Sequence, residues 1–493
     1  MELKILAKNT LMLAGPKVLK FTVGVLRAKF IAVFLGTVGA GIIDQLHYII
    51  SQLRNISLSS LPDGMVKLIA EQNGKEFDLV KISKIIKTYI LMVIPLTIVM
   101  TVLGYYFSDE ITLYVFGDIQ YKTYFQIGFI AFPVTILTTT ARAPLKAFKE
   151  IKSFAISEIL VIIINLIIFL PLIYFFKIPG AVVYVTLSFV TAFFVTYSLM
   201  RKNVMKKYSI TFKDIRKAIF DKPYFKQLLA YMGVGVIGGT YFIFIEITTR
   251  SIVVNELGIN QLGVYTPITS WAGLFVGFIL PSVYTYLYPR LSESKTDKEI
   301  IGVINGVIRL ITFVALPFII VGISIRDWII PFFYSMEFID ATKYLPFHFG
   351  SLIFFIWSSI LSQLFYATGR LKSYLIFGLV INSISLFLVY YLVPIIGLYG
   401  YMAKFTIIPL LTLATYFLFW RYEIKLKIQL ENLKIMLYAF FCSVSLLFLK
   451  DTPIYLQLVG FVLIVNLYFF LKKGERDFIM QKARGIFKRK NEL

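Results

Sequence analysis

Apolar runs recur from one end of the chain to the other, and each is about 20 residues long, enough to cross a hydrocarbon core about 30 Å thick. The pattern predicts membrane helices near 10–35, 41–70, 85–107, 121–145, 154–176, 181–200, 223–255, 263–288, 301–324, 344–368, 373–394, 399–420, 435–449 and 454–471. Polar stretches between them are short, apart from Arg201–Lys222 and Lys472–Leu493, which carry eight Lys or Arg each. The expected fold class is an all-α polytopic membrane protein of about 14 transmembrane helices with no soluble domain of its own. The N-terminus shows no short apolar core followed by a small-residue cleavage site, and reads as the first helix.

Two short motifs recur at nearly one offset along the chain. Leu35-Gly36 followed by Gly41 returns as Leu257-Gly258 followed by Gly263. Ala147–Phe154 (AFKEIKSF) returns as Ala367–Tyr374 (ATGRLKSY). Each joins equivalent helices, first to second against seventh to eighth, and fourth to fifth against tenth to eleventh. A six-plus-six repeat follows, a common transporter plan. The expected domains are 1–200 (helices one to six), a basic cytoplasmic linker 201–222, 223–421 (helices seven to twelve), and 422–493 (helices thirteen and fourteen with a basic tail).

Charge orients the chain. With the N-terminus inside, cytoplasmic segments hold 33 Lys or Arg, against four in outward loops: Lys177, Arg326, Lys343 and Lys450. This is the positive-inside pattern, and it predicts both termini in the cytoplasm. It does not account for the 13 bases and four acids left inside the membrane segments. The rest of the composition mainly excludes. The chain is 58% hydrophobic with a net charge of +23 and a mean hydropathy of +0.80. Two His and one Cys are too few for a structural zinc site, an iron–sulfur cluster or a disulfide, so no cofactor and no metal are expected. The Gly-x-x-x-x-Gly spacing lacks the Lys-Ser/Thr ending of a nucleotide-binding loop.

A charge at the bilayer centre costs roughly 2.5–3.5 kcal/mol even on the lenient scale, so such groups face a bundle interior or a wet cavity. Lys17, Lys20, Gly24 and Arg27 fall on one stripe of the first helix; Asp44, His47, Ser51 and Arg54 repeat that spacing on the second. Glu158 and Asn165 share a face of the fifth helix, while Glu246 and Arg250 on the seventh are four apart and close enough to pair. Arg142 sits low on the fourth helix and Lys404 high on the twelfth. Lys17 and Arg142 near the cytoplasmic face, and Lys29 on the opposite side of the first helix, are also open to snorkelling. His47 reads as a hydrogen-bonding or proton-sensitive member of its stripe, and His348 as interfacial. The expected site is a cationic, hydrated cavity between the halves, suited to an anionic head group. Lys20, Arg27, Arg54, Arg142 and Arg250 are the candidate substrate-binding residues, and Asp44, Glu158 and Glu246 the candidate ion-coupling ones.

The segment 26–41, with the pattern R-x-K-x-x-A-x-x-L-G-x-x-G-x-G, is followed by a polar second helix ending in Leu61-Pro62-Asp63-Gly64 and then Val66–Glu71. It resembles the opening of bacterial polysaccharide flippases of the Wzx type, members of the multidrug/oligosaccharidyl-lipid/polysaccharide exporter (MOP) superfamily. The resemblance is close as far as Glu71 and loose over the first twelve helices. It implies two six-helix lobes in a V around a central cavity, and a polyprenyl-pyrophosphate-linked oligosaccharide turned across the bacterial cytoplasmic (inner) membrane by alternating access. The product would be O-antigen, as in lipopolysaccharide, or capsule. Arg27 matches the basic position of the family's first helix. Also implied are proton or Na+ coupling and a complex with a polysaccharide polymerase. Fourteen helices depart from the twelve common in the group and resemble lipid II flippases. Two other functions stay open: a membrane glycosyltransferase or polymerase of polyprenyl-linked sugars, for which the outward loops are short, and a multidrug exporter of the same architecture, for which the membrane region is too positive.

Overall fold

The computed structural model describes residues 2–73, 77–235, 239–448 and 453–471, and every regular element among them is helical. The basic tail 472–493 lies outside the described residues. The helices are α1 (Glu2–Leu58), α2 (Leu61–Asn73), α3 (Leu79–Tyr106), α4 (Ser108–Phe116), α5 (Lys122–Phe129), α6 (Ala131–Ala147), α7 (Ile151–Met200), α8 (Phe212–Lys217) and α9 (Lys222–Gly235). They continue with α10 (Tyr241–Leu257), α11 (Ile259–Glu293), α12 (Asp297–Ser324), α13 (Arg326–Phe333), α14 (Ala341–Ala367), α15 (Leu371–Ile396), α16 (Leu398–Ile424), α17 (Leu430–Phe448) and α18 (Pro453–Leu467). Each of the fourteen segments expected to cross the membrane falls on one helix or on a consecutive pair.

Two of these helices are double length. α1 breaks at Gly36 (φ 63, ψ −164), a backbone conformation that glycine adopts without steric cost; its first half is the expected first helix, and its second half together with α2 the expected second. α7 breaks at Lys177 (φ 51, ψ −131), two residues before Pro179, whose missing N–H cannot continue the helical ladder. Its halves are the fifth and sixth. Eight described helical stretches are long and apolar enough to cross a membrane. α1 is not among them. Burial separates outer from inner helices: the most apolar window of α7 is 11% buried and faces outward, while that of α14 is 89% buried.

Positive-φ positions recur at nearly the offset of the sequence motifs. Gly36 and Gly258 both take positive φ at the equivalent helix junctions. Lys149 and Gly369 do so at the α6–α7 and α14–α15 turns. Lys177 and Gly397, related by the same offset, do so where the fifth helix meets the sixth and α15 meets α16. At Gly180 and Gly400 a side chain would run into the backbone of the preceding helix, at Leu172 and Leu392.

The chain falls into two units. One comprises Met1–Pro267, Phe333–Phe338 and Ser385–Tyr401, and the other Ile268–Phe332, Ile339–Ile384 and Met402–Leu493. In the first unit the two copies of the Leu-Gly motif meet. A Cβ on Gly41 would enter the Ile259 carbonyl and lie 3.2 Å from Gly263 N, and one on Gly263 would enter the Thr37 carbonyl and lie 3.1 Å from Gly41 N. Only residues without a side chain let two helix backbones approach this closely.

The second unit is held by polar ties between α12, α14 and α17. Trp357 Nε1 donates to Thr312 Oγ1 at 2.9 Å, and Asn432 Nδ2 donates to the Asn305 carbonyl at 2.8 Å. Arg309 Nη2 donates to the Phe470 carbonyl at 2.8 Å, just beyond α18. The last two helices are thus tied to α12. His348 is buried, with its ring 4.5 Å from that of Phe405.

Candidate functional site

A cavity of about 400 Å³ opens inside the first unit, within the size range of small-ligand sites. Its walls come from both halves of α1, from α6 and from both halves of α7, which are helices one, two, four, five and six of the expected set. Lys20, Arg27, Arg54, Arg142 and Glu158 all line it, together with His47, Ser51 and Asn165. Both stripes on α1 therefore point into one space, and the Glu158–Asn165 face of α7 closes it. A second cavity of about 210 Å³ shares Arg54, Thr139 and Arg142 with the first and adds Lys146 and Asp63.

The cavity has two levels. Four of the five walls contribute one residue to each, seven apart along the helix: Lys20 and Arg27, Arg54 and His47, Arg142 and Thr135, Glu158 and Asn165. At about 1.5 Å per residue the levels are separated by about 10 Å. On the first, Arg142 Nη2 lies 2.6 Å from Glu158 Oε1, and Arg54 Nη2 donates to Asn55 Oδ1 at 3.0 Å. Lys20 is exposed there. Three cations face one carboxylate on this level.

The second level is built differently. The Arg27 guanidinium lies 5.0 Å from the Phe169 ring centroid and 4.8 Å from that of Tyr184. Such cation–π contacts hold the group in place without neutralising it. Arg27 Nε is buried without a hydrogen-bond partner among the described residues. Beside it, Asn165 Nδ2 is 3.4 Å from the Ser188 carbonyl, while Asn165 Oδ1 and the Tyr184 hydroxyl have no partner among the described residues. The His47 ring is exposed to the cavity and stacks on Phe189 at 5.3 Å.

The remaining three predicted residues gather elsewhere in the unit. Arg250 on α10 is buried; its Nη2 pairs with Asp44 Oδ2 and its Nε donates to Gln45 Oε1 at 2.8 Å. The guanidinium also lies over the Tyr48 ring at 4.3 Å, and Glu246 is close enough to act on it electrostatically. Gln45 Nε2 donates to the Val115 carbonyl at 3.0 Å, Asn255 Nδ2 to the Tyr114 carbonyl at 3.0 Å, and the Tyr114 hydroxyl to Thr248 Oγ1 at 2.7 Å. This clasp joins α10 to α1 and α4. The structure thus brings five of the eight predicted residues into the cavity and sets Asp44, Glu246 and Arg250 in the clasp. Sequence reasoning misses Phe169, Tyr184 and Phe189, which sit on a helix so apolar that aromatic spacing carries no signal.

Charge held inside a helical bundle of this hydropathy defines a polytopic membrane protein with a polar cavity. Residues 6–295 match the family described as polysaccharide biosynthesis protein, and the chain belongs to that family. Its fold is similar to that of lipid II flippase MurJ in an inward closed conformation, at 16% identity over 96% of this chain and 100% of that one, with a TM-score of 0.69. It is also similar to an inward-facing multidrug resistance MATE family transporter of the MOP superfamily, at 14% identity over 83% of this chain and 94% of that one, with a TM-score of 0.63. A third likeness, at 15% identity over 85% of this chain and 96% of that one with a TM-score of 0.56, is to a MOP superfamily transporter from Pyrococcus furiosus, for which reverse polarity of the binding pocket suggests a different function. Comparison with curated proteins gives no match.

Proposed function

We propose that the chain is a flippase that carries a polyprenyl-pyrophosphate-linked oligosaccharide repeat unit across the bacterial cytoplasmic membrane, both termini facing the cytoplasm, for surface polysaccharide such as O-antigen or capsule. The observation that carries this reading is the first-unit cavity, where Lys20, Arg27, Arg54 and Arg142 converge in a member of a polysaccharide biosynthesis family. A pyrophosphate linking a lipid to a sugar bears two negative charges. Arg is suited to it, since a planar guanidinium donates two parallel hydrogen bonds to one phosphate.

In this account the head group enters at the level of Lys20, Arg54 and Arg142 and displaces Glu158 from Arg142. The released carboxylate takes up a proton or Na+, which couples translocation to an ion gradient. Asp44, Arg250 and Glu246 form a clasp that opens and closes as access alternates. No covalent bond of the substrate is made or broken, so the protein acts as a transporter.

The test is the pool of lipid-linked sugars in cells lacking this protein, read by mass spectrometry beside a stain for surface glycan. Accumulation of the complete repeat unit on its lipid carrier, with surface glycan lost, is the expected result. A unit short of one sugar would point to a glycosyltransferase, and an unchanged pool would contradict the flippase reading.

A further inference from the structure

A third cavity in the first unit, of about 240 Å³, is apolar and lies across α6 from the polar one. α6 turns Thr135, Thr139 and Arg142 to the polar cavity, and Leu137, Ala141 and Pro144 to this one. The apolar cavity runs along α3 from Ile86 to Ile94 and along α6 from Leu137 to Pro144, a slot about 10–12 Å long at about 1.5 Å per residue. One end lies under the basic segment 201–222, which contributes Val204, Met205 and Ile215. Ile94, Leu137 and Phe212 line the slot and are each about half exposed, so it opens to the outside of the bundle. No charged residue lines it. Among its hydroxyls, Thr140 Oγ1 donates to the Ile136 carbonyl at 3.0 Å and lies 3.5 Å from that of Tyr89. Such a lining accepts hydrocarbon and rejects a polar group.

The segment over the slot leaves its positive charge outward. Its two acids are engaged within the fold: Asp214 forms a capping box with Thr211 at the start of α8, and Asp221 lies 3.7 Å from Lys84. Lys207 pairs with Glu150 at 2.6 Å. Arg201, Lys202, Lys206 and Arg216 are exposed and make no ion pair among the described residues. Arg201 and Lys202 stand in the same helical turn as Val204 and Met205, and Lys206 follows it directly. Phe212, Ile219 and Phe220 are exposed beside these bases, and bases with apolar side chains between them suit a segment lying in a membrane interface. We propose that the slot and the bases over it bind an anionic phospholipid, with one acyl chain in the slot and the phosphate against Arg201, Lys202 and Lys206. The prenyl tail of a substrate held in the polar cavity is not the occupant, because α6 stands between the two cavities. The site does not depend on what the protein transports.

The experiment uses the full-length protein in lipid nanodiscs. Phosphatidylglycerol or phosphatidylethanolamine, each with a diazirine midway along one acyl chain, is added at equal mole fraction, and photolabelled peptides are mapped by mass spectrometry. At residues 90–94 of α3 the phosphatidylglycerol probe is expected to label about tenfold more than the phosphatidylethanolamine probe, the scale of a base or two acting on one head group. On α15, whose most apolar window is 22% buried, the two probes are expected to label equally. R201Q/K202Q/K206Q is expected to bring the ratio at α3 to near one. I94W, which fills the mouth of the slot, is expected to lower labelling there by both probes several-fold. Thermal unfolding separates lost binding from lost folding; if I94W does not fold, the ratios in the wild type and the triple variant decide. A wild-type ratio near one at α3, or a ratio unchanged in the triple variant, would overturn the site and leave the flippase reading standing. Displacement of the phosphatidylglycerol label by equimolar undecaprenyl phosphate would also overturn it, and would assign the slot to a prenyl chain.

Discussion

Asp44→Ala is expected to destabilise the protein by about 3 kcal/mol and to abolish surface glycan, because it strands Arg250. Arg250 is 8% exposed and Asp44 35%, so the cost falls at the lower end of the range for breaking a buried pair. Gln45 and Tyr48 stay in contact with the guanidinium but bring no negative charge, and Glu246 remains as the carboxylate that acts on it. The informative comparison is the double variant D44A/R250M. Removing both charges takes away the guanidinium that lost its partner, although Glu246 stays in the clasp, and a hydrophobic replacement for a buried pair is often close to neutral. Thermal unfolding should therefore show the double variant more stable than D44A alone. Equal losses in the two would mean that the clasp is not an electrostatic unit.

Gly263→Leu is expected to have the second large effect. A Cβ there enters the Thr37 carbonyl and sits 3.1 Å from Gly41 N, so both backbones must move apart. Overpacking of this kind costs about 1–3 kcal/mol where side chains alone yield, and a backbone crossing yields less. Loss of surface glycan together with an unfolding temperature several degrees lower is the expected outcome, since about 1 kcal/mol moves a midpoint by a few degrees in a large domain. Gly273→Ala is the control, because a Cβ at Gly273 meets nothing within 4 Å. A G263L protein as stable and active as G273A would show that the crossing of the two motifs carries no load.

The predicted helices and the cation stripes were legible because both are periodic signals within one helix. Lys20 and Arg27 had to share a face with each other, as did His47 and Arg54, and both pairs line the cavity. The positive-φ junctions at Gly36 and Gly258 were legible because glycine marks positive φ. The one at Lys177 was hidden, because lysine carries no such mark, while Gly397 at the same offset does. Partners across helices were not legible. Glu246 was the candidate partner for Arg250 by spacing, yet Asp44, far away in sequence on α1, pairs with it. Nor did the pattern reveal that Phe169 and Tyr184 flank Arg27, since an aromatic on an apolar helix reads the same facing lipid or a guanidinium. The lining of the cavity from helices of the first half alone is likewise a property of packing.

The central claim is that this protein turns a lipid-linked oligosaccharide across a bilayer through the cationic cavity. The most direct measurement uses proteoliposomes loaded with the lipid-linked sugar accumulated by cells lacking the protein, and follows the fraction reached by an impermeant glycosidase. Wild-type protein is expected to expose the inner-leaflet pool under an ion gradient, while a K20Q/R54Q variant of equal stability exposes only the outer-leaflet half, as do protein-free vesicles. Exposure by the variant at the wild-type rate would contradict the cavity's role, and no exposure by the wild type would contradict the flippase itself.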